Sequence, residues 1–375
     1  MVQLSVLILN YKVPYYLMHC LSSVIAATKD LEAEIIVVDN NSQDQSSAWV
    51  KQYFPQVILV ENKVNSGFSK GNNLGFEQAK GKYVCLLNPD TYVGSHTFKN
   101  VYAFAETKQD VGAIGVKLID GCGNFLPESK RNLPTPKVAL EKIFQINKNY
   151  YSALSENITG KVDVLVGAFM WMHRERYEEI GKLDEDYFMY GEDIDLSYKF
   201  LKAGYQNYYL GSESIIHYKG ESTTRDKVYR QRFYGAMQIF YEKHFNKGKA
   251  VQFLVKQGLK LASLKDVLIK KTNKEQVQKN CLNYLLVTNK ASGLKESLEE
   301  ILHQQFNCIS VKEVLKETLS DSYIVFDAEY IAADDIKMVM EILKNKQNCF
   351  RIKPRNFNFI LGSDQSTSKG EVKDL

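Results

Sequence analysis

The chain of 375 residues lacks the marks of several protein classes. Its six cysteines are scattered without a CxxC pair, so neither a zinc site nor a disulfide framework is predicted, and reduced thiols are expected. No stretch approaches the roughly 20 apolar residues that a helix needs to cross a bilayer. Because Lys and Arg (48) nearly balance Asp and Glu (44), the net charge of +4 indicates no nucleic-acid partner.

The amino terminus also lacks the features of an export signal. It has no basic leading region, and its apolar run stops at Asn10, as a strand would. We therefore interpret this segment as the first strand of the fold and expect a cytoplasmic protein. A hydrophobic fraction of 45% with 25% charged residues excludes a wholly disordered or fibrous chain.

Strand and helix patterns alternate in the first half of the chain. Short apolar runs end at Leu9, Val38 and Leu87, and helical spacing separates them, for example over residues 13–27. This rhythm predicts an α/β fold with a mostly parallel sheet flanked by helices. Ligands of such sheets bind beyond the carboxyl ends of the strands, so polar residues at those ends are the first candidates for a site.

Composition divides the chain into four expected parts. Residues 1–245 carry the alternating pattern, although it weakens over 121–159. Residues 246–278 combine many lysines with apolar residues at helical spacing, and 279–362 predict a small α/β unit of unknown role. The polar end, 363–375, is expected to be a flexible tail.

Two acidic residues follow strand ends. Asp39 is either a turn or cap residue, or a carboxylate that accepts hydrogen bonds from a base or ribose. Asp90 follows Pro89, which turns the chain away from its strand and fixes the backbone beside the carboxylate. Because Mg²⁺ usually takes one or two carboxylates plus phosphate oxygens, Asp90 fits a cation with a diphosphate ligand, with a turn cap as the alternative.

A third acidic cluster, Glu192, Asp193 and Asp195, follows an aromatic run at the start of a predicted helix. Acids favour the positive end of a helix, but three exceed what capping requires. A carboxylate beside hydrophobic rings can have a raised pKa and act as a general base.

His217 follows an apolar strand and precedes a polar, glycine-containing loop. A lone histidine is usually structural, but this loop favours a role beside a phosphate. The segment 65–73 also resembles a phosphate loop, although it is neither a P-loop nor GxGxxG.

Taken in order, seven segments resemble the family-2 nucleotide-sugar glycosyltransferases, especially their bacterial rhamnosyltransferase-like branch. The segments are SVLILNY (5–11), IVVDNNS (36–42), NSGFSKGNNLG (65–75), LLNPDT (86–91), VGAFMWMHR (166–174), LDEDYFMYGEDIDL (183–196) and HYKGES (217–222). The resemblance covers roughly residues 1–245 and says little about 275–375.

The resemblance implies a GT-A-like catalytic domain over 1–245 and an inverting hexosyltransferase. Such an enzyme moves a sugar from a nucleoside-diphosphate-sugar to a hydroxyl of a saccharide or lipid-linked saccharide in bacterial surface polysaccharide assembly, and the branch suggests a dTDP-rhamnose donor. Because such acceptors are commonly lipid-linked, 246–278 is expected either to bind the inner face of the plasma membrane or to pack on the catalytic domain. The oligomeric state is not predicted.

The resemblance also implies roles for individual residues. Asp90 would hold Mg²⁺ or Mn²⁺ in the place of the family's DxD motif, although Asn88 stands where the first Asp often is. Asp193, paired with Glu192, would be the catalytic base, and His217 would help to hold the metal or diphosphate. Asp39 would contact the base or ribose. The other residues expected at the nucleotide-sugar are Leu9, Asn10, Tyr11, Asn65, Gly67, Phe68, Lys70, Asn72 and Asn88.

Two other function classes stay open. One is a nucleotide-sugar-binding protein without turnover, against which the intact Asp90, Asp193 and His217 argue. The other is a nucleotidyltransferase, which would need a glycine-rich, basic loop after the first strand, where this chain has NYKVP (10–14).

Overall fold

The structure is a computed structural model that describes residues 1–143, 149–221, 227–245, 281–290, 293–317, 319–366 and 369–375. The predicted lysine-rich part, 246–278, lies outside these residues. In the part that is described, no helix is both long enough and apolar enough to span a bilayer.

The first part of the described chain contains nine strands and eight α-helices. The strands are β1 (Leu4–Asn10), β2 (Ala33–Asp39), β3 (Ile58–Glu61), β4 (Tyr83–Leu87), β5 (Thr91–Tyr92), β6 (Val111–Ile119), β7 (Gly160–Val162), β8 (Phe169–His173) and β9 (Gln206–His217). The helices are α1 (Pro14–Ala27), α2 (Ser46–Tyr53), α3 (Phe68–Phe76), α4 (Thr97–Glu106), α5 (Pro136–Ile143), α6 (Arg174–Glu179), α7 (Glu192–Lys202) and α8 (Lys227–His244).

These strands form one sheet in the order β3-β2-β1-β4-β8-β6-β9-β5, with β7 paired to β9. The ladders from β3 to β4 and the long ladder between β6 and β9 are parallel, whereas β8 runs antiparallel to both of its neighbours. The predicted α/β class with a mostly parallel, helix-flanked sheet is confirmed.

The centre of the sheet is formed by β1 and β4, which are buried along their whole length. Pro14 begins α1, where its missing N–H costs nothing, and the apolar face of α1 packs into the core. Since β1, β2 and β4 are parallel neighbours, their carboxyl ends bring Asn10, Asp39 and Asn88 to the same edge.

A second sheet follows in the carboxyl-terminal part. Its strands are β10 (Asn283–Val287), β11 (Asn307–Ile309), β12 (Ser322–Asp327), β13 (Cys349–Lys353), β14 (Phe359–Gly362) and β15 (Glu371–Asp374), in the order β11-β10-β12-β13-β14-β15. Its helices are α9 (Leu294–Leu302), α10 (Val311–Val314) and α11 (Ala333–Ile342).

The prediction of a flexible tail over 363–375 is wrong for the end of the chain. Residues Glu371–Asp374 form β15, which pairs antiparallel with β14. Arg351 on β13 donates from Nε to Oε2 of Glu371 at 2.7 Å. Backbone pairing and this ion pair hold a segment whose composition alone suggested disorder.

The two sheets are packed closely, and both contribute to the largest hydrophobic core cluster. Glycines allow this approach: a Cβ at Gly121 would lie 2.4 Å from the carbonyl oxygen of Ser363. The buried Lys117 on β6 donates to Oε2 of Glu341 on α11 at 2.6 Å. Lys337 of α11 also donates to the carbonyl oxygen of Ser214 at 2.7 Å.

Candidate functional site

A cavity of about 440 Å³ opens at the carboxyl edge of the nine-stranded sheet. Its wall is built from loops that follow β1, β4 and β9, from the loop before α3, and from α7 and α8. The predicted site residues in this wall are Leu9, Tyr11, Asn65, Gly67, Phe68, Asn88, Asp90, Glu192, Asp193 and His217.

The other predicted residues lie outside the cavity wall. Asp39 accepts a hydrogen bond from Asn10 Nδ2 at 3.0 Å and one from the backbone N–H of Ser42 at 3.1 Å, the geometry of a turn residue. Asn72 donates to the carbonyl oxygen of Phe68 at 2.9 Å, and Lys70 is exposed. Their predicted contacts with a nucleotide-sugar stay predictions.

The loop before α3 is fixed by a residue that sequence reasoning missed. The Asn40 amide donates to Oδ1 of Asn65 at 3.0 Å and to the carbonyl oxygen of Gly67 at 3.1 Å. Gly67 has φ of 85°, and a Cβ there would lie 2.4 Å from the carbonyl oxygen of Phe188. This position therefore requires glycine, because the loop touches the segment that precedes α7.

Asp90 and His217 come together because β5 pairs with the end of β9, with Thr91 opposite His217. His217 Nε2 lies 3.4 Å from Asp90 Oδ1 and 3.4 Å from Asn88 Nδ2. Asp90 is 5% exposed. One carboxylate and one imidazole suit a divalent cation that takes further ligands from diphosphate or water. Among the described residues, no group of three or more His, Cys, Asp and Glu side chains could hold a metal alone.

Asp193 is surrounded by donors. Arg131 Nη2 donates to Asp193 Oδ2 at 2.6 Å, and the backbone N–H of Gly167 donates to the same oxygen at 3.3 Å. Arg131 also donates to the carbonyl oxygen of Leu165 at 2.8 Å and is 7% exposed. Sequence reasoning missed Arg131, which lies in the segment where periodicity weakens, and no pattern in that segment singles it out.

Glu192, the neighbour of Asp193, is in a different state. Burial, together with the nearby Asp193 carboxylate, raises the pKa of Glu192 above its ordinary value. Its Oε2 is buried without a hydrogen-bond partner among the residues that the structure describes. The two adjacent acids therefore have different surroundings: burial favours the neutral form of Glu192, whereas Arg131 pairs with the Asp193 carboxylate.

Aromatic rings and one cation complete the wall. Tyr190 contacts Tyr229 of α8 with ring centroids 4.9 Å apart, and Tyr229 stacks on Phe233 at 6.1 Å. The Arg232 guanidinium lies 4.3 Å from the centre of the Phe188 ring. Such a wall offers ring faces and a positive charge to a bound molecule.

The sequence model described as glycosyl transferase family 2 matches residues 5–181. Among curated proteins, N-acetylglucosaminyl-diphospho-decaprenol L-rhamnosyltransferase of Mycobacterium tuberculosis is 27% identical over 242 residues, which cover 60% of this chain and 78% of that protein. The low-salt glycan biosynthesis hexosyltransferase Agl10 of Haloferax volcanii is 25% identical over 245 residues, covering 64% and 72%.

Among solved structures, the mannosyltransferase PcManGT from Pyrobaculum calidifontis, in complex with GDP-Man and Mn²⁺, aligns with a TM-score of 0.47 and 16% identity. That alignment covers 73% of this chain and 76% of the other. Residues 1–349 of S. aureus TarS align with a TM-score of 0.46 and 18% identity, covering 74% and 75%.

Proposed function

We propose that the chain, whose residues 5–181 match the model of glycosyl transferase family 2, is an inverting transferase with a nucleoside-diphosphate-sugar donor. The acceptor is a hydroxyl of a saccharide or lipid-linked saccharide. The match over residues 5–181 and the curated relatives support glycosyltransferase activity, to which we add the stereochemistry, the substrates and the roles of individual residues.

One observation carries the assignment of roles. Asp193 and Asp90 line the same cavity. The Asp193 carboxylate is paired with the buried Arg131, whereas the neighbour of the Asp90 carboxylate is His217. The first is suited to take a proton from an attacking hydroxyl, and the second to bind a cation.

Asp90 and His217 are the residues that would hold a divalent metal, Mg²⁺ or Mn²⁺. His217 Nδ1 is buried and lacks a hydrogen-bond partner in the described ranges, whereas Nε2 faces Asp90 Oδ1 and Asn88 Nδ2. A bound metal would supply Lewis-acid stabilisation of the charge that develops on the leaving diphosphate.

Asp193 is the proposed base. As the acceptor oxygen forms its bond to the anomeric carbon, its proton passes to the Asp193 carboxylate, while the bond between that carbon and the diphosphate oxygen breaks. Attack from the face opposite the leaving group inverts the anomeric carbon, through an oxocarbenium-like state as in glycoside hydrolysis. Arg131 and the Gly167 N–H orient the carboxylate.

The likeness to N-acetylglucosaminyl-diphospho-decaprenol L-rhamnosyltransferase supports a rhamnosyl donor and a lipid-linked acceptor for this chain, and the resemblance to that branch suggests dTDP as the nucleotide. A panel of UDP-, dTDP- and GDP-sugars, each with Mg²⁺ or Mn²⁺, tests this by the product that is released. A nucleoside diphosphate supports the proposal, and pyrophosphate would indicate a nucleotidyltransferase. Donor binding without any release would indicate a binding protein.

Reversible association with the anionic inner leaflet is a separate part of the proposal. The support for this association is the sequence alone. Residues 243–275 contain nine lysines together with apolar residues at helical spacing. Each lysine near an anionic leaflet contributes about 1 kcal/mol, so four or five suffice for reversible binding.

Flotation with anionic liposomes at low and high salt tests the membrane contact. Binding at low salt should be lost when five lysines are changed to Glu: Lys256, Lys260, Lys265, Lys270 and Lys271. Five exposed lysines elsewhere, changed in the same way, provide the charge-matched control: Lys29, Lys63, Lys80, Lys108 and Lys312. If both variants float equally, the lysines of 246–278 do not bind the membrane, and the alternative that this stretch packs on the catalytic domain is favoured.

A further inference from the structure

The carboxyl-terminal sheet reaches the cavity through the connection between β14 and β15. Ser366, on this connection, lines the cavity together with Lys219 and Gly220 of the turn that follows β9. Among the described residues that line the cavity, Ser366 is the only one beyond residue 237. The carboxyl-terminal part therefore contributes directly to the wall.

A second contact joins the same connection to the turn after β9. The backbone N–H of Gly370 donates to Oε1 of Glu221 at 2.8 Å, and Glu221 is 6% exposed. Glu221 follows the turn that begins at His217, the residue that faces Asp90. A Cβ at Gly370 would lie 2.2 Å from the Tyr16 hydroxyl, so this contact leaves no room for a side chain.

Arg351 fixes the connection from both sides. Its guanidinium binds Asp364 through two hydrogen bonds, Nη1 to Oδ1 at 3.1 Å and Nη2 to Oδ2 at 2.7 Å. Its Nε binds Glu371 at 2.7 Å, and Arg351 itself is 3% exposed. Because Asp364 and Glu371 flank the connection, one planar cation sets the position of Ser366 and Gly370 between them.

We propose that the described residues of the connection between β14 and β15, 363–366 and 369–370, form part of the wall of the active site. They position the turn over residues 217–221 and so take part in holding the donor's diphosphate. The inference rests on the proposed function for the identity of the ligand. Ser366 acts by contact with the bound molecule, and Glu221 is a positioning residue that acts through His217 and its neighbours.

Calorimetric titration of the full chain with dTDP, UDP or GDP in the presence of Mn²⁺ tests the wall. Ser366→Trp places a large ring in the cavity and should raise the dissociation constant at least about tenfold. Gln365→Trp is the matched control, because Gln365 is exposed and does not line the cavity. It should stay within about twofold of the wild type. Unchanged binding by Ser366→Trp would overturn the proposal.

Rescue tests the positioning role. Glu221→Ala removes the acceptor for the Gly370 N–H and should weaken nucleotide binding by about tenfold. Glu221→Gln keeps an acceptor oxygen and should restore most of the affinity. The melting temperature of the same samples shows whether a variant has lost stability. If both variants bind as the wild type does, or if Gln is as weak as Ala, positioning through Gly370 is wrong.

The two proposals fail differently. If the wild type binds a nucleoside diphosphate but transfers no sugar from any donor, the proposed function is overturned. The role of the connection between β14 and β15 is then still tested by the binding of the variants. If the wild type binds no nucleoside diphosphate with Mn²⁺, both are overturned.

Discussion

Asp193 and Asp90 both face the cavity from buried positions, but their surroundings differ. Asp193 accepts hydrogen bonds from Arg131 and from the backbone N–H of Gly167. Asp90 has His217 at 3.4 Å, and its exposed fraction is only 5%. A buried carboxylate that is paired with an arginine is balanced within the protein, whereas one beside a single imidazole gains much from an added cation.

The comparison explains why two aspartates can have different tasks in one cavity. A base needs an oriented carboxylate that stays in place while a proton arrives. A metal ligand needs a carboxylate that is not already bound to a protein cation.

The largest effect is expected when Arg131 is changed to Met. The variant leaves the Asp193 charge buried without its partner, which typically costs about 3–5 kcal/mol in the free energy of unfolding. Turnover should fall as well, because the carboxylate loses its orientation. Thermal and urea unfolding, with initial rates, measure both effects.

Combining Arg131→Met with Asp193→Asn tests the cause. If the uncompensated charge is responsible, the double variant should be more stable than Arg131→Met alone. Additive losses would mean that Arg131 acts through packing and through its bond to Leu165.

Asp193→Asn should lower kcat by at least about 10²-fold, the usual cost of losing a general base. Donor affinity should change little, because Asp193 is not placed at the diphosphate. Steady-state kinetics together with nucleotide titration separates the two. Glu192→Gln is the matched control on the next residue and should keep most turnover; the reverse pattern would exchange the two roles.

Asp90→Ala should weaken nucleoside diphosphate binding in Mn²⁺ by about 10- to 100-fold and abolish the effect of metal on the rate. Asp120 is a fitting control, since it also follows a buried strand, but its carboxylate accepts backbone N–H groups of Cys122 and Asn124. Asp120→Ala should keep the metal dependence. A metal response that survives in Asp90→Ala would contradict the assignment.

Much of the fold around Asp90 follows from sequence patterns. The apolar runs that end at Leu9, Val38 and Leu87 mark the ends of β1, β2 and β4 to within one residue. Strand β6 gave no such signal. A Cβ at its Gly112 would lie 2.7 Å from Cβ of Phe200, and one at its Gly115 would lie 2.7 Å from Leu165. Close packing therefore requires glycine at these two positions, where a typical strand has β-branched residues.

The surroundings of Asp193 show what local patterns miss. Arg131 lies 62 residues away in sequence and reaches Asp193 through a segment of weak periodicity. Ser366 and Gly370 come from still farther along the chain, in a stretch whose polar composition favoured a tail. Long-range ion pairs depend on tertiary packing, which a single sequence does not display.

The smallest effect concerns Glu192 and its proton. Burial beside Asp193 raises the pKa of Glu192, so between the ordinary glutamate pKa and the raised value the folded chain binds a proton that the unfolded chain releases. The free energy of unfolding therefore falls as pH rises through this window. Glu192→Gln has no proton to release and should lack this fall, so its stability relative to the wild type should rise with pH. Urea unfolding of both proteins at several pH values measures the difference. Parallel pH profiles would mean that Glu192 is ionised in the folded chain, and the division of charge between Glu192 and Asp193 would be wrong.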